Sequence, residues 1–291
     1  MNKKKIKTLS GMALVSLSVL ALAACDQKDE SKEEEQTKIK AEPVDIVSHK
    51  ALYKIKLKSK TSDTKISDIS GEMLFEWRQS CEAWITDHHF TINYQYIDAE
   101  NAQITSDFST YEMFTGDMMR FAAKRAHNDQ VFQELRGTAT INEITHEGEA
   151  TYTKPEGLVI PMPKGSMFPA DHTKKIIRMA RQGKKLYEAD VFDGSDEEGV
   201  IKISSFIGDK INVMANMEPN AGVDPSLINT PSWKVRMAFF PNQSEAAEAE
   251  YEMSAVLHDN GVISDMDIEY KEFAIEQELV ALELVPEEIC D

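Results

Sequence analysis

Three cysteines and three tryptophans in 291 residues are few, and several common catalytic signatures are missing altogether. The chain has no Gly-x-Ser-x-Gly elbow, no phosphate-cradling glycine loop, no His-Glu-x-x-His and no Cys-x-x-Cys. The hydrolase, nucleotide-binding, zinc-protease and dithiol chemistries that depend on those spacings therefore lack their residues. Positive charge is also short, with 32 basic against 50 acidic side chains and a net charge of −18. Such a surface repels nucleic acid and anionic lipid, so neither is an expected partner.

What basic charge there is begins the chain. MNKKKIKTLS precedes the apolar run GMALVSLSVLALAAC, which is too brief to span a bilayer comfortably and reads as a bacterial export signal over residues 1–24. Its end, Leu22-Ala23-Ala24-Cys25, resembles the lipobox of bacterial lipoproteins, in which the thiol takes a diacylglycerol. Acyl chains on Cys25, each worth about 0.8 kcal/mol per buried methylene, would hold the protein on a membrane from the periplasmic side. An ordinary signal peptide with a chance cysteine is the alternative. Residues 25–45 follow as an acidic, aromatic-free segment, DQKDESKEEEQTKIKAEPVD after the cysteine, expected to be a disordered tether. Without the leader lysines the net charge falls to about −22.

If Cys25 carries lipid, Cys81 and Cys290 remain as an even pair in an oxidising compartment, which favours a disulfide over two buried free thiols. Closing so long a loop removes roughly 5 kcal/mol of unfolded-chain entropy in the simplest treatment.

From residue 46 to 291 there is no second linker, so one domain is expected. Period-two alternation dominates it. Tyr53, Ile55 and Leu57 share one face, as do Met73, Phe75 and Trp77, then Phe90, Ile92, Tyr94 and Tyr96, and later Trp233, Val235, Met237 and Phe239. Asn260-Gly261 signals a hairpin, both residues tolerating positive φ. One segment breaks the rhythm: Asp171 offers a helix N-cap, Arg178 and Arg181 suit its C-terminal end and Gly183 stops it. The expected fold is mainly β, a long antiparallel sheet curled into an open barrel or spiral with one central α-helix.

Candidate chemistry is sparse. Asp87-His88-His89 places adjacent imidazoles on opposite faces of a strand, unsuited to one metal. Asp193, Asp196, Glu197 and Glu198 lack the calcium-loop spacing. A hydrolase would have to draw on His88, His89, His127 and His172. Met113, Met118 and Met119 gather around a Gly-Asp turn, and the fourteen methionines suit either irregular core or a permissive apolar surface. No catalytic residue, metal site or cofactor is expected. A curled sheet this rich in apolar side chains leaves a lumen, with Phe75, Trp77, Phe90, Tyr94, Met237 and Phe239 as its expected lining.

The blocks SGEMLFEWRQSCEAW, STYEMFTGDMMRF, GSMFPADHT, GKKLYEADVFDGSD and LHDNGVISDMDIEYKEFAIEQELVALELVPEEIC together resemble, in order, the EipB family of periplasmic envelope-integrity proteins. The resemblance implies a spiral-like open barrel with a central helix, closed by a disulfide at the positions of Cys81 and Cys290. It also implies a role in envelope integrity and stress resistance, and a periplasmic partner built of tetratricopeptide repeats. The family's likeness in shape to lipoprotein carriers implies a lipidic or peptide ligand. Cys25 is a departure, because familiar members look like soluble secreted proteins. The expected function is a non-enzymatic, membrane-anchored periplasmic protein that binds a partner, an apolar ligand or both. The alternatives are a lipoprotein carrier or chaperone, and a hydrolase of envelope polymers.

Overall fold

The computed structural model describes residues 43–213, 221–241 and 248–290. The leader, Cys25 and the first part of the expected tether lie outside them. Among the described residues, strands β1 (His49–Lys60), β2 (Ile66–Gln79), β3 (Ala83–Tyr96), β4 (Ala102–Met113), β5 (Met118–His127), β6 (Gln130–Ile141), β7 (Gly148–Lys154) and β8 (Val159–Met162) form a first antiparallel meander. Helix α1 (Pro169–Arg181) then leads to β9 (Leu186–Phe192) and β10 (Val200–Ile211). A short helix, α2 (Pro225–Ile228), precedes β11 (Ser232–Pro241), β12 (Tyr251–His258), β13 (Ile263–Tyr270) and β14 (Phe273–Leu284).

The two meanders make one sheet because β14 pairs antiparallel with β1, giving the order β8-β7-β6-β5-β4-β3-β2-β1-β14-β13-β12-β11-β10-β9. The sheet edges β8 and β9 are thus neighbours in sequence. The chain between them carries α1, and Met167 forms a parallel bridge to Val191, its N–H donating to the Asp190 carbonyl at 3.0 Å. A sheet of this length must curl to hide its apolar face, and here it curls until its edges nearly meet.

Helix α1 buries Ile176, Ile177 and Ala180 against Trp77, Trp84, Ile207, Trp233 and Val235. It begins three residues earlier than expected. Pro169 occupies the first helical position and Phe168 is the N-cap, without a side-chain bond. Proline already has the required φ and no N–H to satisfy there. The capping role assigned to Asp171 is taken by Glu112 of β4, whose carboxylate accepts from the N–H groups of Ala170 (2.9 Å) and Asp171 (3.2 Å). Asp171 sits in the first turn and pairs with Lys174 at 2.6 Å.

Three further expectations need adjustment. Val44 and Ile46 are both buried in the α1 core, so packed chain begins by Val44, inside the segment read as tether. The hairpin between β12 and β13 is present, but Gly261 alone takes positive φ (+87°). A Cβ on it would meet Ile46 and Trp77, so the tip packs on the core. Finally, α2 is a second helix that the alternation did not disclose, capped by the Asp224 carboxylate accepting from the Ser226 N–H at 2.9 Å.

Candidate functional site

Residues directly opposite across an antiparallel ladder share a face, so the register defines the inner wall. One row runs Tyr53, Met73, Phe90, Ser106, Arg125, Gln133 across β1 to β6. Another runs Leu57, Ile275, Ile268, Met253, Met237, Ser205, Tyr187 from β1 through β14 to β9.

Burial along this wall is graded. Beside α1, Trp77, Met237 and Phe239 are buried, at 6%, 8% and 9% exposure. Away from it, Met73, Phe90, Ile92, Tyr94, Ile268 and Phe273 face inward yet are only half-buried, and Tyr270 is 40% exposed. Met73, Ile92, Tyr94, Ile268 and Phe273 pack against a second buried cluster, Ile55, Ile66, Ile69 and Ile275, and keep part of their surface exposed. Helix α1 thus packs on one part of the inner face, and the half-buried wall occupies another. Of the six residues expected to line a lumen, Phe90 and Tyr94 lie along the half-buried wall, Phe75 is half-buried against the cluster beside the helix, and Trp77, Met237 and Phe239 belong to that cluster.

Two aromatic series shape the wall. Phe108, His88, Phe75, Trp77, Trp84 and Phe114 follow one another with ring centroids 4.8–6.4 Å apart. Phe239, Tyr251, Tyr270, Phe273, Tyr94 and Tyr96 form a second series at 4.3–6.4 Å. Contacts of this kind add to the area the rings bury. Burial pushes the Tyr270 phenol up to about 12, with nearby Tyr94 adding to it, and raises Tyr251 further, so both stay neutral donors. Tyr251, Tyr270, Phe273 and Tyr96 were not expected in the lining. Their alternation was visible in the sequence; the β14–β1 pairing that sets them beside Tyr94 was not.

Polar groups on this surface are few. Arg125 Nη1 donates to Gln133 Oε1 at 2.6 Å. Burial raises the Asp193 carboxyl, an effect that its Ser195 hydrogen bonds and Arg125 oppose. The inward-facing Gln277 Oε1 and Ser205 Oγ are buried without a hydrogen-bond partner among the described residues. Such unpaired groups are costly.

The candidate imidazoles do not converge. His88 faces the wall beside Phe75 and is held neutral, its pKa lowered to about 4 by burial. His89 points outward, its Nδ1 2.5 Å from Asp107 Oδ1. His127 is exposed, and His172 is buried on α1, stacked on Tyr187 at 5.9 Å. Among the described residues no group of three or more His, Cys, Asp or Glu is placed to hold a metal. In the loop from Asp193 to Gly199 the carboxylates serve the backbone: Asp193 accepts from the Ser195 N–H and Asp196 from the Glu198 N–H. Of the methionine group, Met119 is fully buried, while Met113 and Met118 are half-buried.

Cys81, in the β2–β3 turn, is bonded to Cys290 in the C-terminal tail, with Cα atoms 5.5 Å apart. The expectation that this bond closes the barrel needs correction. The tail crosses the start of β1, where the Val285 N–H donates to the Ser48 carbonyl at 3.0 Å. The bond therefore spans strands that are already paired, β14, β1 and β2, and the sheet edges come together elsewhere.

Comparison with known proteins agrees with this architecture. The profile of the EipB-like family matches residues 40–286. The cell envelope integrity protein EipB of Brucella abortus is 25% identical over 247 residues, covering 84% of this chain and 86% of that protein. The crystal structure of a β-barrel-like protein of a domain of unknown function, also from Brucella abortus, superposes with a TM-score of 0.77 at 24% identity, covering 84% of this chain and all of the other.

Proposed function

The chain belongs to the EipB-like family, and on that footing we propose that it maintains cell-envelope integrity from the periplasm, without catalysis, by holding the apolar part of a lipidic or peptide ligand in its lumen. The observation that carries this reading is the half-buried inner wall of Met73, Phe90, Ile92 and Tyr94. Wide apolar surface with few polar groups is the composition of a small-molecule site. Methionine and aromatic side chains also suit a ligand that varies in shape. The unpartnered Gln277 Oε1 favours a ligand that brings a hydrogen-bond donor with its apolar body. Lipidation of Cys25 and docking of a tetratricopeptide-repeat partner complete the proposal, both supported by sequence resemblance.

The test is native mass spectrometry of protein released from its own envelope, joined to titration with the fluorescent apolar probe N-phenyl-1-naphthylamine. A co-purifying amphiphile is expected, together with probe binding that Phe90→Gln weakens at least tenfold while the circular dichroism spectrum is kept. Probe binding that is absent, or unchanged in Phe90→Gln, overturns the lumen as the site.

A further inference from the structure

On the outer face of the sheet, a concavity of about 450 Å³ is lined by Ser109 and Tyr111 of β4, Arg120 and Ala122 of β5, and Arg136 and Thr138 of β6, among others. Its pattern comes from the register. Arg120 lies opposite Thr138 and Ala122 opposite Arg136, so two guanidinium groups occupy one diagonal of the pair of strands and two small side chains the other. Diagonal neighbours are roughly 7–8 Å apart, within reach of long side chains. Arg120 lies over the Tyr111 ring, its Cζ 5.6 Å from the centroid.

Two like charges on neighbouring strands repel each other, and Glu134, whose carboxyl the Arg136 charge helps to lower, relieves them only in part. The hydrogen bonds of the nearby carboxylates go to other groups. Asp87 accepts from Arg78 at 3.4 Å and from the Ser109 hydroxyl at 2.5 Å. Glu82 accepts from the Tyr111 hydroxyl at 2.6 Å, and Glu134 from Lys154 at 2.6 Å. The described ion pairs include neither Arg120 nor Arg136. The floor between the two cations is small and open, with the Thr138 hydroxyl beside it.

We propose that this groove binds a phosphomonoester borne on a sugar-sized group. A phosphomonoester carries about −1.5 to −2 charges at neutral pH, which matches two guanidiniums, and the planar donor forks of arginine fit its oxygens two at a time. The volume falls in the range of sites that enclose a small organic ligand, about 300–1,000 Å³, more than a bare phosphate fills. The acidity of the whole chain does not forbid this, since exposed charges beyond about 8 Å are largely screened at physiological salt. The site lies on the other face of the sheet from the lumen and is independent of it.

Such a group could come from a free phosphosugar or from a headgroup at a membrane surface, and two assays on the full oxidised chain separate them. One titrates glucose 6-phosphate, with glucose as control, by calorimetry. The other measures co-sedimentation with phosphatidylcholine vesicles with and without phosphatidic acid. Binding in the first assay, absent for glucose and lowered at least tenfold by Arg120→Gln and by Arg136→Gln, is the expected result and marks a soluble ligand. Binding only to phosphatidic acid vesicles, with the same loss in both variants, supports the site with a lipid headgroup as source. If neither probe binds, or if the variants bind as the wild type does, the proposal fails. N-phenyl-1-naphthylamine binding should be untouched by either substitution, which separates failure here from failure of the lumen.

Discussion

The curled sheet has two joints that differ from its hairpins, the β1–β14 pairing within it and the meeting of its edges, and they are built in opposite ways. Where β14 meets β1, strands from the two ends of the domain form a long antiparallel ladder from His49↔Leu284 to Lys60↔Phe273, with register shifts at Leu52/Tyr53 and Leu57/Ser59, crossed by the Cys81–Cys290 bond. Where β8 meets β9, strands adjacent in sequence do not pair along their length. That seam is joined by the Met167 bridge, by the Tyr152 hydroxyl donating to the Asp196 carbonyl at 2.6 Å, and by side-chain packing. Phe121, Tyr152, Met162, Phe168 and Phe192 share one buried cluster. Gly194, at φ +74°, lies where any Cβ would strike the Phe121 ring. Covalent and backbone bonds guard the long-range joint, while the local seam rests on apolar contact. The seam is thus the joint at which the sheet should open first.

The largest test of this contrast removes a seam ring. Phe192 is fully buried, and Phe192→Ala should cost about 3–5 kcal/mol, the sum of lost burial and the cavity left behind. Urea unfolding measures it. The same variant should speed amide exchange in β8 and β9 before it affects β1 and β14. Equal acceleration on both sides would mean that the barrel opens as a unit.

Next comes the joint. Cys81→Ser should lower stability by about 2–4 kcal/mol, chiefly by freeing the unfolded chain, and reductant added to the wild type should reproduce the loss. Because the β1–β14 ladder survives reduction, exchange at the seam should stay as it was. Unfolding of the serine variant at the wild-type denaturant midpoint would remove the bond from the account.

This division explains what could be read in advance. Alternation disclosed the inner face wherever one side of a strand meets the core, so Tyr53, Ile55, Val235 and Met237 were correctly paired with their neighbours. The pairing of Cys81 with Cys290 followed from counting thiols. What stayed hidden depends on contacts between distant residues. No local signal says that β14 lies beside β1, and without it Tyr270 and Phe273 do not join Tyr94. The helix start was misjudged for the same reason: Asp171 has the right chemistry, but the group that meets the free N–H donors is Glu112, on β4.

Glu112 also gives the smallest and most discriminating prediction, because its effect depends on pH. Burial pushes its carboxyl up to about 7, against the opposing hydrogen bonds from α1. A raised acid stabilises the fold fully below its unfolded value, and that contribution fades as pH rises toward 7. His172 and His258 work in the other direction. Burial lowers both to about 4, so their contribution is present above the ordinary imidazole value of 6.5 and is lost as pH falls toward 4. Between about pH 4.5 and 7 the two effects therefore oppose each other: the imidazoles add stability as pH rises, while Glu112 gives up its own contribution, the loss being complete once pH passes about 7. Glu112→Gln keeps an oxygen acceptor for the helix and removes the charge. At pH 5 the variant should differ from wild type by about 1 kcal/mol or less, the net worth of a hydrogen bond, whereas at pH 8 it should lose less stability than wild type. The acid limb should be unchanged. If instead the difference between the two proteins stays constant from pH 5 to pH 8, Glu112 is already ionised in the fold, and α1 is held by a charged cap.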